Sequence, residues 1–409
     1  MSLVQTITDL IIGLVGFSRD TSPGTEFAGV LDTTILGALI LAIIATDIAF
    51  FVVWLERKLM ARMMVRRGPT HVGPFGLLIN VADALKLVGK ELITPKASDK
   101  FGFHFSIVIM VVTAVMSLLV VPWSTWFVAT APNAGLLLIF AIFSLYPIAV
   151  LVAGWSSNNK YSLIGGFRSA AQLISYEVPY MISILGVLIL ANWTLDPVNR
   201  TFSFITIANA QTGGNVWFVF LLPIGAVVAF TAMLGETERV PFDLPEAESE
   251  LVMGWRTEYS AGNFVLIMAI EYFHVFVNAA IMVILFWGGW HMPFGGQGEL
   301  LGFFDPAIWF FIKVHVVIGV MIWIRAALPR VRIDQFLHIG WTRLLPMGVL
   351  NLFWAVGLGF LFYKSDLGVD QVSLAAVLLV VVVLVSFIAA VVTMKGRKPS
   401  VHMVEGGEG

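Results

Sequence analysis

The chain has 409 residues, 58% of them hydrophobic and 12% charged, with mean hydropathy +0.91 and a formal net charge of −2. Soluble domains carry about 25% charged residues, so an ordinary soluble fold is excluded, and the near-neutral balance argues against nucleic acid as a partner. There is no cysteine, which excludes disulfides, thiolate zinc sites and iron–sulfur ligation by this chain; electrons for any redox step would have to arrive from a partner.

A membrane-spanning helix needs about 20 mostly apolar residues. Residues 1–17 are apolar but short and broken by Asp9, which suits a segment lying in the interface. The start has neither the basic region nor the cleavage site of a signal peptide. Nine spans follow in order, at 32–55, 102–122, 135–155, 169–191, 215–235, 262–288, 305–324, 344–362 and 371–394. The prediction is an all-α polytopic membrane bundle of about nine transmembrane helices. Lysine and arginine orient it: segments 56–101, 156–168, 236–261, 325–343 and the tail after 394 hold 20 of the 24, leaving Arg19, Arg200 and Lys364 on the other side and Lys313 within a span. The positive-inside rule then places the N-terminus outside and the C-terminus in the cytoplasm. No internal repeat is visible, which weakens an inverted-repeat transporter reading.

The loops on the basic side look ordered. Residues 77–91 put Leu77, Leu78, Val81, Leu85 and Val88 on one helical face and Asn80, Asp83, Lys86 and Lys90 on another. That pattern predicts an amphipathic helix at the membrane surface or in a partner's groove. Ahead of it, Gly68, Pro69, Gly73, Pro74 and Gly76 form a turning loop.

The most informative stretch runs GETERVPFDLPEAESELVMGWRTEYS. It packs Glu236, Glu238, Asp243, Glu246, Glu248, Glu250 and Glu258 between two apolar segments. Helix capping by solvated charge accounts for Glu246 and Glu248, which follow Pro245. It does not account for Glu250 and Glu258 among Leu251, Val252, Met253 and Trp255. Glu246 and Glu250 share a helix face, and partly buried neighbours of like charge raise each other's pKa towards the range of a proton relay. Ionisable residues also occur inside spans: Asp47, Glu177, Glu271, His274, Lys313 and His315. The default for such groups is a polar pathway within the bundle, and the plainer alternative is a structural pair such as Glu271 with Lys313. Glu177 and Glu271 are read as functional, His274 and His315 as structural. Arg168, Gln172, Ser175 and Tyr176 make the fourth span polar on one side, as in the wall of a wet cavity or an interhelical hydrogen-bonding face. The basic groups around Arg57 to Arg67 and Arg325 to Arg343 are topology determinants first and lipid contacts second. No phosphate-binding loop, dinucleotide fingerprint, metal-binding helix or nucleophile elbow is present.

Taken together, several stretches carry a resemblance: ERK at 56–58, GP at 68–69, VGPFGLL at 72–78, ADALKL at 82–87 and KE at 90–91. They continue as GWSSNNKYSLIGGFRSAAQLISYEVP at 154–179, ETERVPFDLPEAESELVMGWRTEYS at 236–260, RAALPRVRIDQ at 325–335 and GWTRLLP at 340–346. In this order the sequence closely resembles the quinone-chamber membrane subunit of respiratory complex I, the family of mitochondrial subunit 1 and the bacterial H subunit. The resemblance implies a subunit of a proton-pumping NADH:quinone oxidoreductase in the cytoplasmic (inner) membrane, not catalytic alone. It would dock the peripheral arm, form the quinone access tunnel, and begin the acidic path that couples quinone reduction to ion movement. Quinone would be the substrate, with NAD, flavin and iron–sulfur clusters on partner subunits, other membrane subunits as neighbours, and no metal here. Carried over motif by motif, Arg57, Asp83, Lys86, Asp243, Glu246, Glu248, Glu250, Arg330 and Arg332 are expected at the quinone tunnel. Tyr176, Glu177, Glu236, Glu258 and Glu271 are expected on the proton path. The resemblance divides the chain into an N-terminal extension at 1–30, the family's membrane domain at 31–365, and an extra helix with a basic tail at 366–409. Three features depart from the family: that ninth span beyond a core of eight, the unmatched first thirty residues, and Glu238, an added carboxylate where many members carry a neutral side chain. The closest alternative is the equivalent subunit of a membrane-bound hydrogenase or of a dehydrogenase fed by ferredoxin or a deazaflavin. A secondary cation transporter and a passive anchor for a peripheral enzyme are readings of other classes.

Overall fold

The computed structural model describes residues 26–124, 128–129, 132–194, 202–211, 217–243, 251–292 and 305–364. Among these residues every regular element is helical. In chain order they are α1 (Glu26–Asp47), a π turn (Ile48–Val52), α2 (Val53–Met63), α3 (Ile79–Val88), α4 (Lys100–Val120), α5 (Gly135–Phe143), α6 (Leu145–Ser156) and α7 (Lys160–Thr194). They continue with α8 (Phe204–Asn209), α9 (Phe218–Leu221), α10 (Pro223–Glu236), α11 (Ala261–Phe286), α12 (Asp305–Ala327), α13 (Ile333–His338) and α14 (Leu345–Lys364).

Seven helices among the described residues are long and apolar enough to cross a bilayer: Gly37–Met63, Lys100–Val120, Gly135–Ser156, Lys160–Asn192, Ala261–Phe286, Asp305–Ala327 and Ile333–Phe360. They match seven of the nine predicted spans, and the chain is a multi-pass membrane protein. The fifth prediction, 215–235, needs correction. That segment is two helices, broken at Leu222 (φ −122°, ψ 59°) ahead of Pro223, which opens α10. Proline supplies no N–H and disfavours helical geometry in the residue before it. α10 alone, at 14 residues, rises about 21 Å, and α9 ahead of the break extends the segment, so the correction is to the helix's continuity. The span predicted at 371–394, with its tail, lies outside the described residues, as do most of the first thirty. α7, by contrast, begins at Lys160 rather than 169 and continues through Pro179. Its 35 residues reach about 52 Å, so one end stands clear of any bilayer.

Between membrane helices there is little hydrophobic drive, and association rests on close packing and internal hydrogen bonds. α7 lies at the centre, packed by α6, α10 and α14, while α11 joins α4 to α12. The Tyr176 ring is held on α7 with Gly235 on one side and Gly340 on the other; a Cβ on Gly340 would stand 3.3 Å from that ring. Its hydroxyl donates to Phe336 O at 3.1 Å and its ring stacks on Phe336 at 4.1 Å. Gln172 Nε2 donates to Gly235 O and Phe242 O, and Trp341 Nε1 donates to Ser175 Oγ. The polar face of the fourth span is therefore used for bonding between helices.

The amphipathic helix forms as α3 over 79–88. Its polar residues point at the bundle: Asn80 Nδ2 donates to Ala49 O, a carbonyl of the π turn, and Asp83 meets Arg57. The widened π turn leaves carbonyls without the usual helical donor, and Asn80 supplies one. Trp54 Nε1 and Lys58 Nζ both donate to Phe75 O, fixing the preceding loop on α2. Leu85 and Val88 are exposed on the other face.

Candidate functional site

Charge gathers at the end of the bundle that carries α3 and the turn 237–243. The turn is built tightly: Glu238 takes φ +49°, and Arg239 N and Phe242 N close local bonds to Leu234 O and Arg239 O. Glu238 and Arg239 are thereby aimed at different neighbours. Glu238 is buried, accepts a hydrogen bond from Ser169 on α7, and lies 3.6 Å from Arg256 Nη2. Arg256, on a short turn over Gly254–Arg256, also pairs with Glu271 on α11 and is itself buried, 3% exposed. One guanidinium therefore sits between two carboxylates from separate elements, a geometry its planar fork suits and a point charge does not.

Arg239 turns the other way. Its Nη1 lies 2.6 Å from Glu56 Oε1 on α2, and its guanidinium covers the Tyr272 ring at 4.6 Å. Arg325, at the end of α12, pairs with the same Glu56 oxygen. Burial works against the charge on Arg239, but neighbouring Glu56 holds its pKa above the ordinary arginine value. It stays a cation.

Most of these groups border a cavity of about 250 Å³, with Glu56 behind Arg239 and Arg325 rather than on its wall. Glu238, Asp243 and Glu271 supply acid, while Arg239, Arg256, Arg325 and Arg330 supply base. Val252, Met253, Phe264 and Met268 give it an apolar side, and Tyr272 a hydroxyl. Arg330 Nη2 lies 3.1 Å from Asp243 Oδ2 at its edge. The space admits a small ring or a string of waters between opposed charges.

Of the residues expected at a quinone tunnel, Asp243 and Arg330 border the cavity. Glu246, Glu248 and Glu250 lie outside the described residues. Arg57, Asp83 and Lys86 form a separate surface group, with Arg57 Nη1 2.7 Å from Asp83 Oδ2 and Lys86 Nζ 3.8 Å from Asp83 Oδ1. Side-chain exposures of 44% for Arg57 and 37% for Asp83 put this pair in the class worth about 0.2–1 kcal/mol. A double-mutant cycle of Arg57→Ala and Asp83→Ala, read by thermal inactivation of the purified complex, is expected to give a coupling in that range that shrinks with salt. Arg332 is exposed and away from the cavity.

Of the proton-path set, Glu271 borders the cavity. Glu236 is buried at the end of α10, within electrostatic reach of Glu177 and Glu238. Glu177 is half-buried on α7. Tyr176 is absorbed in packing, and Glu258 accepts from Asn159 Nδ2 at 2.7 Å, away from the cavity. The pair considered between Glu271 and Lys313 does not form: Glu271 meets Arg256, and Lys313 binds backbone carbonyls. His274 is buried against Tyr146, ring centroids 4.3 Å apart, and His315 Nε2 lies 3.2 Å from Asp47 Oδ2. Sequence reasoning missed Glu56, Arg239, Arg256, Tyr272 and Arg325 as site residues. Their signal was present, since all but Tyr272 fall inside the quoted motifs, but arginine in a basic loop reads first as a topology signal.

The family model for NADH dehydrogenase matches residues 35–356. The chain is similar to the H subunit of the NADH-quinone oxidoreductase of Geobacillus kaustophilus, 42% identical over 78% of this chain and 91% of the relative. It is 41% identical to the H subunit from Geobacillus thermodenitrificans over 80% of this chain and 94% of that one. To the H subunit from Bacillus thuringiensis it is 43% identical over 75% and 88%. A match that runs across most of the chain identifies it as a member of the NADH dehydrogenase family, in the branch of the H subunits.

Proposed function

We propose that this chain is the membrane subunit of an ion-translocating NADH:quinone oxidoreductase that forms the quinone access tunnel and the start of the acidic path from quinone to the pump. The observation that carries this reading is the cavity, where Arg256 is fixed between Glu238 and Glu271 and where Arg239 and Arg325 are both held by Glu56 behind them. Its apolar side, Phe264 and Met268, suits an isoprenoid chain. Its charged side suits a head group that gains negative charge and protons on reduction.

In this reading the electrons come from iron–sulfur clusters of a peripheral arm, and NAD and flavin bind on other subunits. The residues of this chain act electrostatically. Reduction of quinone places negative charge, or a demand for protons, beside Arg256 and Arg239. The balance between each guanidinium and its carboxylates then shifts, and with it the proton affinity of Glu238 and Glu271. Because Glu236 lies within reach of both Glu238 and Glu177, the acids titrate as a linked set rather than one by one. Arg57, Asp83 and Lys86 would stand at the mouth, and Arg330 and Arg332 towards the arm. The N-terminus would lie outside and the C-terminus in the cytoplasm of a cell's inner membrane.

The complex purified through a tag on this chain and placed in liposomes would be assayed with NADH, reduced ferredoxin and other donors against quinone analogues, with internal pH followed. Inhibitor-sensitive quinone reduction with ion movement is expected. Hydrogen evolution without quinone activity would move the chain to the hydrogenase branch and remove the tunnel assignments. Within that assay, Glu271→Gln should assemble yet lower quinone reduction or its coupling to pumping by about tenfold, equivalent to about 1.4 kcal/mol. Normal rate and normal pumping would refute a place for Glu271 on the path.

A further inference from the structure

Lys313 sits on α12 at the end of the bundle opposite the charged cavity. Its side chain is buried, and Nζ donates to Trp287 O at 2.8 Å, to Gly289 O at 3.0 Å and to His291 O. The indole of Trp217 covers it, with Nζ 4.6 Å from the ring centroid. All three carbonyls belong to the turn that follows α11. That turn can close round the nitrogen because Gly288 and Gly289 adopt φ of +70° and +54°. A Cβ on Gly288 would stand 2.7 Å from Trp217 Nε1. Gln211 Oε1 holds the same turn from behind, accepting from Gly288 N at 3.1 Å.

Three carbonyl acceptors favour the charged form. An ammonium has three N–H bonds to give, whereas a neutral amine has two and would turn its lone pair on the third oxygen. The ring face below also favours a cation. Among the described residues no carboxylate forms an ion pair with Lys313. Its charge is held by dipoles at the carbonyl end of a helix, which carries the negative pole. Partial charges of that kind offset an ammonium only in part, so a positive field remains around it.

From Glu271, near the middle of α11, to Trp287 at its end the helix rises about 24 Å, so the carboxylate and the ammonium stand well apart along it. A cation moving towards Glu271 from the far face would approach this ammonium through a low-dielectric bundle, where repulsion is long-ranged. Pores use fixed positive charge in this way to exclude protons and other cations.

We infer that Lys313 is an electrostatic seal, a fixed cation that keeps protons and metal cations from entering the acidic path from the membrane face opposite the cavity. Its purpose rests on the ion-translocating reading above, but its test does not need turnover. The intact complex is reconstituted in liposomes with a trapped pH dye, a pH step is imposed without electron donor, and the decay is timed. Lys313→Met removes charge and tether. Lys313→Gln removes the charge but keeps amide donors for the same carbonyls, and Lys313→Arg keeps the charge. Both neutral variants are expected to dissipate the step about tenfold faster than the parent, with Lys313→Arg as tight as the parent and quinone reduction per complex unchanged. A tight Lys313→Gln complex would overturn the inference and leave a structural tether. So would failure of both neutral variants to assemble while Lys313→Arg assembles. If the parent complex moved no ions during turnover yet the neutral variants leaked, the seal would stand and the translocation reading would fall.

Discussion

Replacing Arg256 by methionine is expected to cost about 3–5 kcal/mol locally, because removing one partner strands the charge of the other in a buried site. Here two carboxylates lose that partner, Glu238 and Glu271, and Arg256 is only 3% exposed. Quinone reduction per assembled complex should fall by about tenfold or more, the rate equivalent of about 1.4 kcal/mol. Reduction of a water-soluble acceptor served directly by the peripheral arm should be unchanged. Methionine matches much of the volume, so the loss reports charge rather than a cavity. The conservative change Arg256→Lys should recover part of the rate only, since one ammonium cannot serve two carboxylates as a planar fork does. Full quinone reductase activity in R256M would show that the pairing with Glu271 is ornamental to the site.

Glu56→Gln is expected to have the second largest effect. Glu56 is 5% exposed and receives both Arg239 and Arg325. Losing its charge leaves two guanidinium groups facing one another across a neutral amide, again about 3–5 kcal/mol by the same reasoning. Neither arginine can escape by releasing a proton, and in the parent Glu56 already holds Arg239 above its ordinary pKa. Earlier thermal inactivation and weaker retention of the α1–α2 segment in the complex should follow. Adding Arg325→Met to Glu56→Gln should return part of the loss, because Arg325 is the more exposed of the two partners and its removal relieves the repulsion. If the double variant is less stable than E56Q by the full cost of the second change, the three charges are not coupled.

Much of the fold was legible in the sequence because its determinants are local. Twenty or so apolar residues between charged ends make a span wherever they occur, which located seven helices, although two begin well before their predicted starts, at Lys160 and Ile333 against 169 and 344. The failures have local causes as well. Pro223 sits inside an apolar run whose composition says span and whose backbone chemistry says break. Lys160 and Arg168 mark a loop by hydropathy, yet α7 runs straight through them because that end of the helix stands clear of the bilayer. The amphipathic helix was legible as a pattern, but the side it turns to the bundle was not. Asn80 and Asp83 face the protein because the π turn after α1 offers a carbonyl and Arg57 a cation.

The sequence by itself determined that this is an all-helical membrane protein of the NADH dehydrogenase family, with its acids concentrated beside one face of the bilayer. Only the tertiary structure decided which charge meets which. Glu56 pairs with Arg239 across 183 positions and with Arg325 across 269; Glu271 takes Arg256 instead of Lys313, and Lys313 takes three carbonyls. The reason is physical. Burial obliges every charge to find a partner but does not name one, and with several acids and arginines near the same face many pairings satisfy that demand. The choice belongs to the packing of α2, α11 and α12 and to the turn at 237–243, contacts that no window along the chain contains.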